Sequence, residues 1–215
     1  MQITKLEYQK NNPNRVNVFV DGKFAVGLEV NDVLKLGLAN GQEINQEELN
    51  KIIEQSNFGK AFNAAVNFLS FRPRSEWEVR QYLTKKMNYE LRIKNYAKTK
   101  KRPHNSYSII HDSGDVDRVI DKLKGLKLLD DQAFAQWWAE QRSQFRPKGQ
   151  RAINAELARK GVKVKIKLEN EAELASKLLA KKTFTSKDQA FRHLLSRGFS
   201  YDTIESVIEK AKIKE

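Results

Sequence analysis

The chain has 215 residues, enough for one elongated domain or two small ones. Its 40 Lys and Arg against 27 Asp and Glu give a net charge of +13 and a pI near 9.8, which favours a polyanionic partner, either nucleic acid or an acidic protein surface. Cysteine is absent, excluding disulfides, thiolate metal sites and thiol nucleophiles, and without an apolar h-region or a run near the roughly 18 residues of a membrane span the expectation is a soluble cytoplasmic protein.

The charge is unevenly spread. Residues 1–58 carry 6 basic and 8 acidic side chains, residues 59–106 carry 12 and 3, and residues 107–215 carry 22 and 16. The basic character begins where helical periodicity begins, so the first segment reads as a different module. There, Val16, Val18 and Val20 alternate with Asn17 and Phe19, Asp21-Gly22 intervenes, and Phe24, Val26 and Leu28 alternate again. An Asp-Gly pair between alternating runs predicts a hairpin with a type I′ turn. Ile3 to Gln9 supplies a possible third strand, with Asn11-Asn12-Pro13-Asn14 as the turn between. A short helix is expected at Asn31–Leu38, capped by Asn31, and Gly41 breaks the chain before the next helix.

The stretch Gln46–Phe71 predicts one long helix or two abutting ones, with Leu49, Ile52, Ile53, Phe58, Phe62, Ala65, Val66 and Leu69 forming the apolar stripe. Pro73 ends it. Ser75 and Glu78 then form a capping box that opens a helix in which Val79 and Leu83 are buried and Arg80, Lys85 and Lys86 are not. Val116, Val119, Ile120 and Leu123 mark another helix, closed by Gly125. From Asp130 to Val162 two amphipathic helices follow, joined at Phe145-Arg146-Pro147. Phe134, Trp138, Gln141 and Phe145 fall on one face of the first, widened by Trp137. In the second, Ile153 and Leu157 are buried, Lys148, Arg151, Arg159 and Lys160 are left for solvent or a partner, and Gly161 ends the helix. A connecting helix is expected over roughly Glu169–Lys182. Ser186 and Gln189 offer a further capping box, and Ile204, Val207, Ile208 and Ala211 mark a final helix from about Asp202.

A shift of 74 residues superposes Phe71-Arg72-Pro73-Arg74-Ser75 on Phe145-Arg146-Pro147-Lys148-Gly149. It also pairs Ala61 with Ala135, Ala65 with Ala139, Val79 with Ile153, Leu83 with Leu157, Lys85 with Arg159 and Lys86 with Lys160. Core meets core and basic meets basic, as in an internal repeat of helical units. A partial third copy, Gln189–Gly198, aligns on its terminal glycine. Each unit contains about three helices, none of which buries its faces alone. Residues 88–114 interrupt the scheme. Arg92, Lys94, Lys98, Lys100, Lys101 and Arg102 are opposed by Glu90 alone, with Tyr89, Tyr96 and Tyr107 interleaved. Either a solvated insertion or a basic arm whose tyrosines stack on bases fits that composition.

Catalytic and metal chemistry find no constellation. Asp130-Asp131 sits at a helix start, where a carboxylate caps amides and complements the dipole. His104, His111 and His193 lack metal-ligand spacing, and no phosphate-cradling glycine loop is present. Trp137-Trp138 reads as core plus a flanking contact rather than a stacking platform. Arg72 and Arg146 either hold the interhelix turns or contact a phosphate or partner.

The run Gly125-Leu126-Lys127-Leu128-Leu129-Asp130-Asp131-Gln132-Ala133-Phe134-Ala135 resembles the signature of the RecX family, the regulators of the RecA recombinase. Arg146, Gly149, Glu156-Leu157 and Lys160-Gly161 continue it. Arg74-Ser75-Glu76 through Leu83, and Leu195-Ser196-Arg197-Gly198-Phe199, are similar to the other two repeats of that family. The resemblance covers about Phe58 to Lys210, and the β-hairpin extension is similar to that of the longer members. Two departures stand out: the insertion at 88–114 is longer than is usual, and Gly149 replaces a Ser or Thr cap. The resemblance implies a non-enzymatic modulator in DNA repair, recombination and the SOS response. It would bind along the groove of the RecA–single-stranded DNA filament, without cofactor or metal, as a monomer, and limit filament growth or ATP turnover. A general nucleic-acid-binding helical repeat protein without a RecA role is the alternative.

The expected architecture is mainly α: tandem three-helix repeats in an elongated curved array, with a small N-terminal antiparallel β extension. The expected division is 1–57 for the extension, 58–125 for repeat 1 with its insertion, 126–182 for repeat 2 and 183–215 for a partial repeat 3. The candidate partner-binding face comprises Arg72, Arg74, Arg80, Lys85, Lys86, Arg146, Lys148, Arg151, Arg159, Lys160, Arg192 and Arg197, with the six cations of the insertion as a possible arm.

Overall fold

The computed structural model describes residues 1–86 and 113–211. The basic arm, with its interleaved tyrosines, lies outside the described residues. Two compact units are present, one formed by residues 1–72 and 79–128 as far as these are described, the other by residues 73–78 and 129–211.

In the first unit, β1 (Ile3–Gln9), β2 (Asn12–Val20) and β3 (Lys23–Glu29) make an antiparallel sheet in sequence order. Val18 pairs with Leu6 on one side and Val26 on the other, which places Val16, Val18, Val20, Val26 and Leu28 on the buried face with Ile3. Asp21 and Gly22 both have positive φ, the geometry the hairpin turn requires. The other turn is tighter than expected. It occupies residues 10 and 11, and Asn12-Pro13-Asn14 already belongs to β2, where a proline near the strand start costs little pairing.

Helix α1 (Val30–Lys35) starts one residue earlier and ends three residues earlier than expected; its N-cap is Glu29, which makes no side-chain hydrogen bond, so Asn31 is not the cap. Gln46–Ser70 forms a single helix, α2, opened by a reciprocal capping box between Asn45 and Glu48. The Ser56 hydroxyl donates to the Gly27 carbonyl at 2.7 Å, tying α2 to β3. Helix α3, described over residues 76–86, begins at the expected box: the Glu78 amide donates to the Ser75 Oγ, and the Ser75 amide to the Glu78 carboxylate. Phe68 stacks on Tyr82 at 4.2 Å between centroids. Helix α4 (Ser113–Gly125) buries Val116, Val119, Ile120 and Leu123, as their spacing demands. Its left-handed terminal residue is Lys127 rather than Gly125, with the Lys127 and Leu128 amides returning to the carbonyls of Lys124 and Leu123.

The second unit contains α5 (Asp131–Phe145), α6 (Gln150–Arg159), α7 (Glu171–Ala180), α8 (Lys187–Ser196) and α9 (Tyr201–Lys210). Two clusters hold it together. One joins Phe134, Ala135, Ala139, Ile153, Leu157 and Val162; the other joins Leu174, Ala175, Leu178, Leu179, Ala190, Leu194, Phe199, Ile204, Val207 and Ile208. Ala211 falls outside the stripe and is exposed. Ser186 caps α8 as expected, but the Gln189 side chain reaches back to Thr185 instead of closing a reciprocal box.

The repeat register survives in the structure. Ala61, Ala65, Val79 and Leu83 are buried, and so are Ala135, Ala139, Ile153 and Leu157. Ala190 and Leu194 occupy the same places in the third copy. Phe145 is a correction. It is 74% exposed, and its repeat mate Phe71 is 78% exposed, because each is the residue where its helix ends and the chain turns outward. Phe134, at 1% exposure, carries the packing. Phe134→Ala is therefore expected to cost about 3–5 kcal/mol of unfolding free energy, and Phe145→Ala less than about 0.5 kcal/mol. Urea unfolding of the two variants checks this difference.

Candidate functional site

The second unit is organised by one arrangement used twice. At the start of α3, the Ser75 hydroxyl donates to the carbonyl of Lys160, the last residue of the α6 turn, at 2.8 Å. The Glu76 amide beside it donates to the Asp131 carboxylate at 2.8 Å. At the start of α6, the Gly149 amide donates to the carbonyl of Arg197 at 3.0 Å, and the Gln150 amide to the Glu171 carboxylate at 2.8 Å. Thus the N-terminus of one helix meets the C-terminal carbonyls of another, and an acid at the first position of a third helix fills the remaining amide. Orphan donors and orphan acceptors satisfy one another, with helix dipoles opposed in sign.

This geometry explains the glycines. A Cβ on Gly149 would overlap the Gly198 carbonyl, and one on Gly198 would overlap Ala152. Gly198 and Gly161 also have positive φ, and a Cβ on Gly161 would run into Trp77. Gly149 thus takes the place of a Ser or Thr cap because the neighbouring chain needs the space. Of the two acids weighed at the start of α5, Asp130 caps its own helix through the Gln132 and Ala133 amides, while Asp131 serves α3.

The second feature is a charge cluster centred on Glu156. Its carboxylate accepts from Trp138 Nε1 at 2.8 Å, from Arg142 Nε at 2.7 Å and from Lys148 Nζ. Arg142 and Lys160 each lie 4.4 Å from the Trp138 ring centre, and Lys160 also pairs with Glu78 at 2.8 Å. Burial alone would raise the Glu156 pKa, but hydrogen bonds from Lys148, Arg142 and Trp138, together with the Arg142 charge, hold it below the ordinary glutamate range. Trp138 is accordingly a half-buried packing and hydrogen-bonding residue, with Trp137 and Phe134 beside it.

The twelve cations of the candidate face divide by environment. Lys85, Arg146, Arg151, Arg159 and Arg192 are exposed. Arg72, Arg74, Arg80, Lys86, Lys148, Lys160 and Arg197 are partly buried. Three of the seven correct the solvent-facing expectation directly. Lys148 and Lys160 are held by Glu156 and Glu78, and Arg80 by Asp117 at 2.5 Å, because acids on neighbouring turns and helices come within reach once the helices pack. Lys86 lies over the Tyr82 ring. Five further cations escaped the sequence reading. Lys163, Lys165 and Lys167 stand exposed on an extended segment, and Lys177 and Lys181 stand exposed nearby at α7. The signal was the strict alternation Val162-Lys163-Val164-Lys165-Ile166-Lys167-Leu168.

Two outcomes test this packing. Serine is the better N-cap in isolation, yet Gly149→Ser is expected to destabilise the chain by about 1–3 kcal/mol through overlap with Gly198, measured by thermal or urea unfolding. Stabilisation would contradict the close approach. Glu156→Gln is expected to cost about 2 kcal/mol at pH 7. Because the folded pKa is lowered, the wild-type advantage is complete above the ordinary glutamate range and disappears as pH falls through the lowered folded value. Unfolding curves for both proteins over that range measure the closing gap.

Among the described residues no helix is long and apolar enough to cross a membrane, and no group of three or more His, Cys, Asp or Glu could hold a metal ion. Residues 1–45 match the regulatory protein RecX N-terminal domain, residues 61–88 the first RecX three-helix domain and residues 130–166 the second. The regulatory protein RecX of Bacillus licheniformis is 30% identical, over 97% of this chain and 76% of its own length. That of Clostridioides difficile is 30% identical over 97% and 94%. A crystal structure of regulatory protein RecX shares the fold with a TM-score of 0.70 at 23% identity, covering 97% of this chain and 98% of its own. RecX from Lactobacillus salivarius gives 0.54 at 21% identity over 72% and 96%. The three-stranded N-terminal sheet, the repeated three-helix domains and this likeness over almost the whole sequence place the chain in the RecX family of regulatory proteins.

Proposed function

We propose that this chain binds RecA–single-stranded DNA filaments as a cytoplasmic monomer and lowers their ATPase and strand-exchange activity. Family membership carries this reading. The charge supports it: an excess of 13 positive charges suits a filament built on a phosphate backbone. So does the way cations are apportioned. Ion pairs occupy Lys148 and Lys160, but Arg146, Arg151 and Arg159 stay exposed on or beside α6, where they are available to a partner. Lys85, the repeat mate of Arg159, and Arg192 are exposed cations of the other two copies, with Arg72, Arg74, Arg80, Lys86 and Arg197 contributing from partly buried positions. The chain acts by binding; no step of covalent chemistry is assigned to it.

Purified protein added to RecA, ATP and single-stranded DNA is expected to slow ATP hydrolysis. The Arg146→Ala, Arg151→Ala pair removes two exposed cations without touching the core, so folding is preserved and the half-maximal concentration rises about tenfold, equivalent to roughly 1.4 kcal/mol. No effect of the wild-type protein at stoichiometric excess would sink the reading. A general nucleic-acid-binding role, favoured by charge alone, instead requires equal displacement of any protein that coats single strands, with affinity falling steeply in salt.

A further inference from the structure

Gly161-Val162 and Gly198-Phe199 end α6 and α8 in the same way, with left-handed glycines followed by buried apolar residues. Beyond these pairs the two copies diverge. After Phe199 the chain forms α9; after Val162 residues 163–168 form no helix, and their burial alternates as in an extended chain. Val164, Ile166 and Leu168 pack against the Phe134 cluster. The Asn154 side chain clamps the segment as a strand would: its Nδ2 donates to the Ile166 carbonyl at 3.1 Å, and its Oδ1 accepts from the Ile166 amide at 2.9 Å. Gln150 Oε1 accepts from the Leu168 amide at 3.0 Å. With the apolar residues turned inward, alternation turns Lys163, Lys165 and Lys167 outward, and all three are exposed.

Successive outward side chains of an extended chain lie about 6.6 Å apart on one line. Among the described residues none of the three lysines has an ion-pair partner. Lys167 also lines an open groove with Lys177, Lys181, Gln136 and Gln144, to which Glu140 and Glu169 contribute as well. A row of lysines without an aromatic or apolar anchor is unlike the core of a protein–protein interface, where lysine is depleted. It does suit a row of phosphates, which lysine contacts as a point charge.

We infer that Lys163, Lys165 and Lys167 form a strip that binds the phosphate backbone of single-stranded DNA directly and without sequence preference. The Asn154 clamp holds the row straight, so binding does not have to order the backbone. The choice of a single strand over a duplex rests on the filament reading above; the charge pattern itself does not.

Fluorescence anisotropy of a labelled thirty-nucleotide oligo-dT strand, titrated with the full chain at several salt concentrations, tests the strip. Replacing all three lysines by Gln is expected to flatten the salt dependence by about 2 in log–log slope, since each single-strand phosphate contact contributes about 0.7. Affinity at low salt should fall at least tenfold, while the triple Lys→Arg variant should retain the wild-type slope. Far-UV circular dichroism and the unfolding midpoint establish that both variants fold. Wild-type protein that binds no oligo-dT, a Gln variant with an unchanged slope, or tighter wild-type binding to a duplex of equal length would each overturn the proposal. An unchanged slope together with normal slowing of filament ATPase by the wild-type protein would remove the strip and leave the filament reading standing.

Discussion

The second unit depends on backbone groups at helix ends satisfying one another. The first amides of a helix and the last carbonyls of another have no partner within their own helices. Here the Gly149 amide meets the Arg197 carbonyl, the Ser75 hydroxyl does the same for the Lys160 carbonyl, and Asp131 and Glu171 accept from the Glu76 and Gln150 amides. Such bonds require the chains to approach more closely than side chains usually allow. That requirement fixes glycine at 149, 161 and 198 and keeps the residue opposite Gly198 as small as Ala152. Apolar packing then follows the junctions: Ile153 and Leu157 sit one and two turns beyond Gly149, and Ala190 and Leu194 occupy the equivalent places before Gly198.

The same packing decides which charges are available. Drawing α5 and α6 together places Glu156 among Trp138, Arg142 and Lys148, and the junction at Ser75 brings Glu78 to Lys160. A partly buried carboxylate with three donors favours its ionised form, so these cations are held inside the unit as structural groups. The surface left for a partner is correspondingly narrower than the count of Lys and Arg suggests. Among the exposed cations of the second unit are Arg146, Arg151 and Arg159 around α6 and the lysine row at residues 163–167.

Much of this was legible from residues alone, for definite reasons. The Asp21-Gly22 turn, the Ser75–Glu78 box, the Asp130 cap and the Gly161 terminus are local, and local chemistry fixes them. The register of 74 residues was legible because repeated core positions keep their burial. What escaped depends on contacts that form only when the elements pack. Lys148 reads as a surface cation until Glu156 is folded against it, and Gly149 reads as a weakened cap until Gly198 occupies the space its side chain would need. Phe145 continues a perfect helical stripe, but its helix ends there and leaves the ring exposed. The lysine segment alternates as a strand does, yet its partners are the side chains of Asn154 and Gln150, which periodicity does not reveal.

In the binding mode proposed above, the exposed basic surface of the second unit is where the chain meets the recombinase filament. Backbone hydrogen exchange of the full chain, followed by mass spectrometry with and without RecA–single-stranded DNA filaments, measures this residue range by range. Slower exchange on filament binding is expected over residues 145–168, with the sheet at residues 3–29 unchanged. Identical exchange throughout at saturating filament, or protection confined to the sheet, would contradict it.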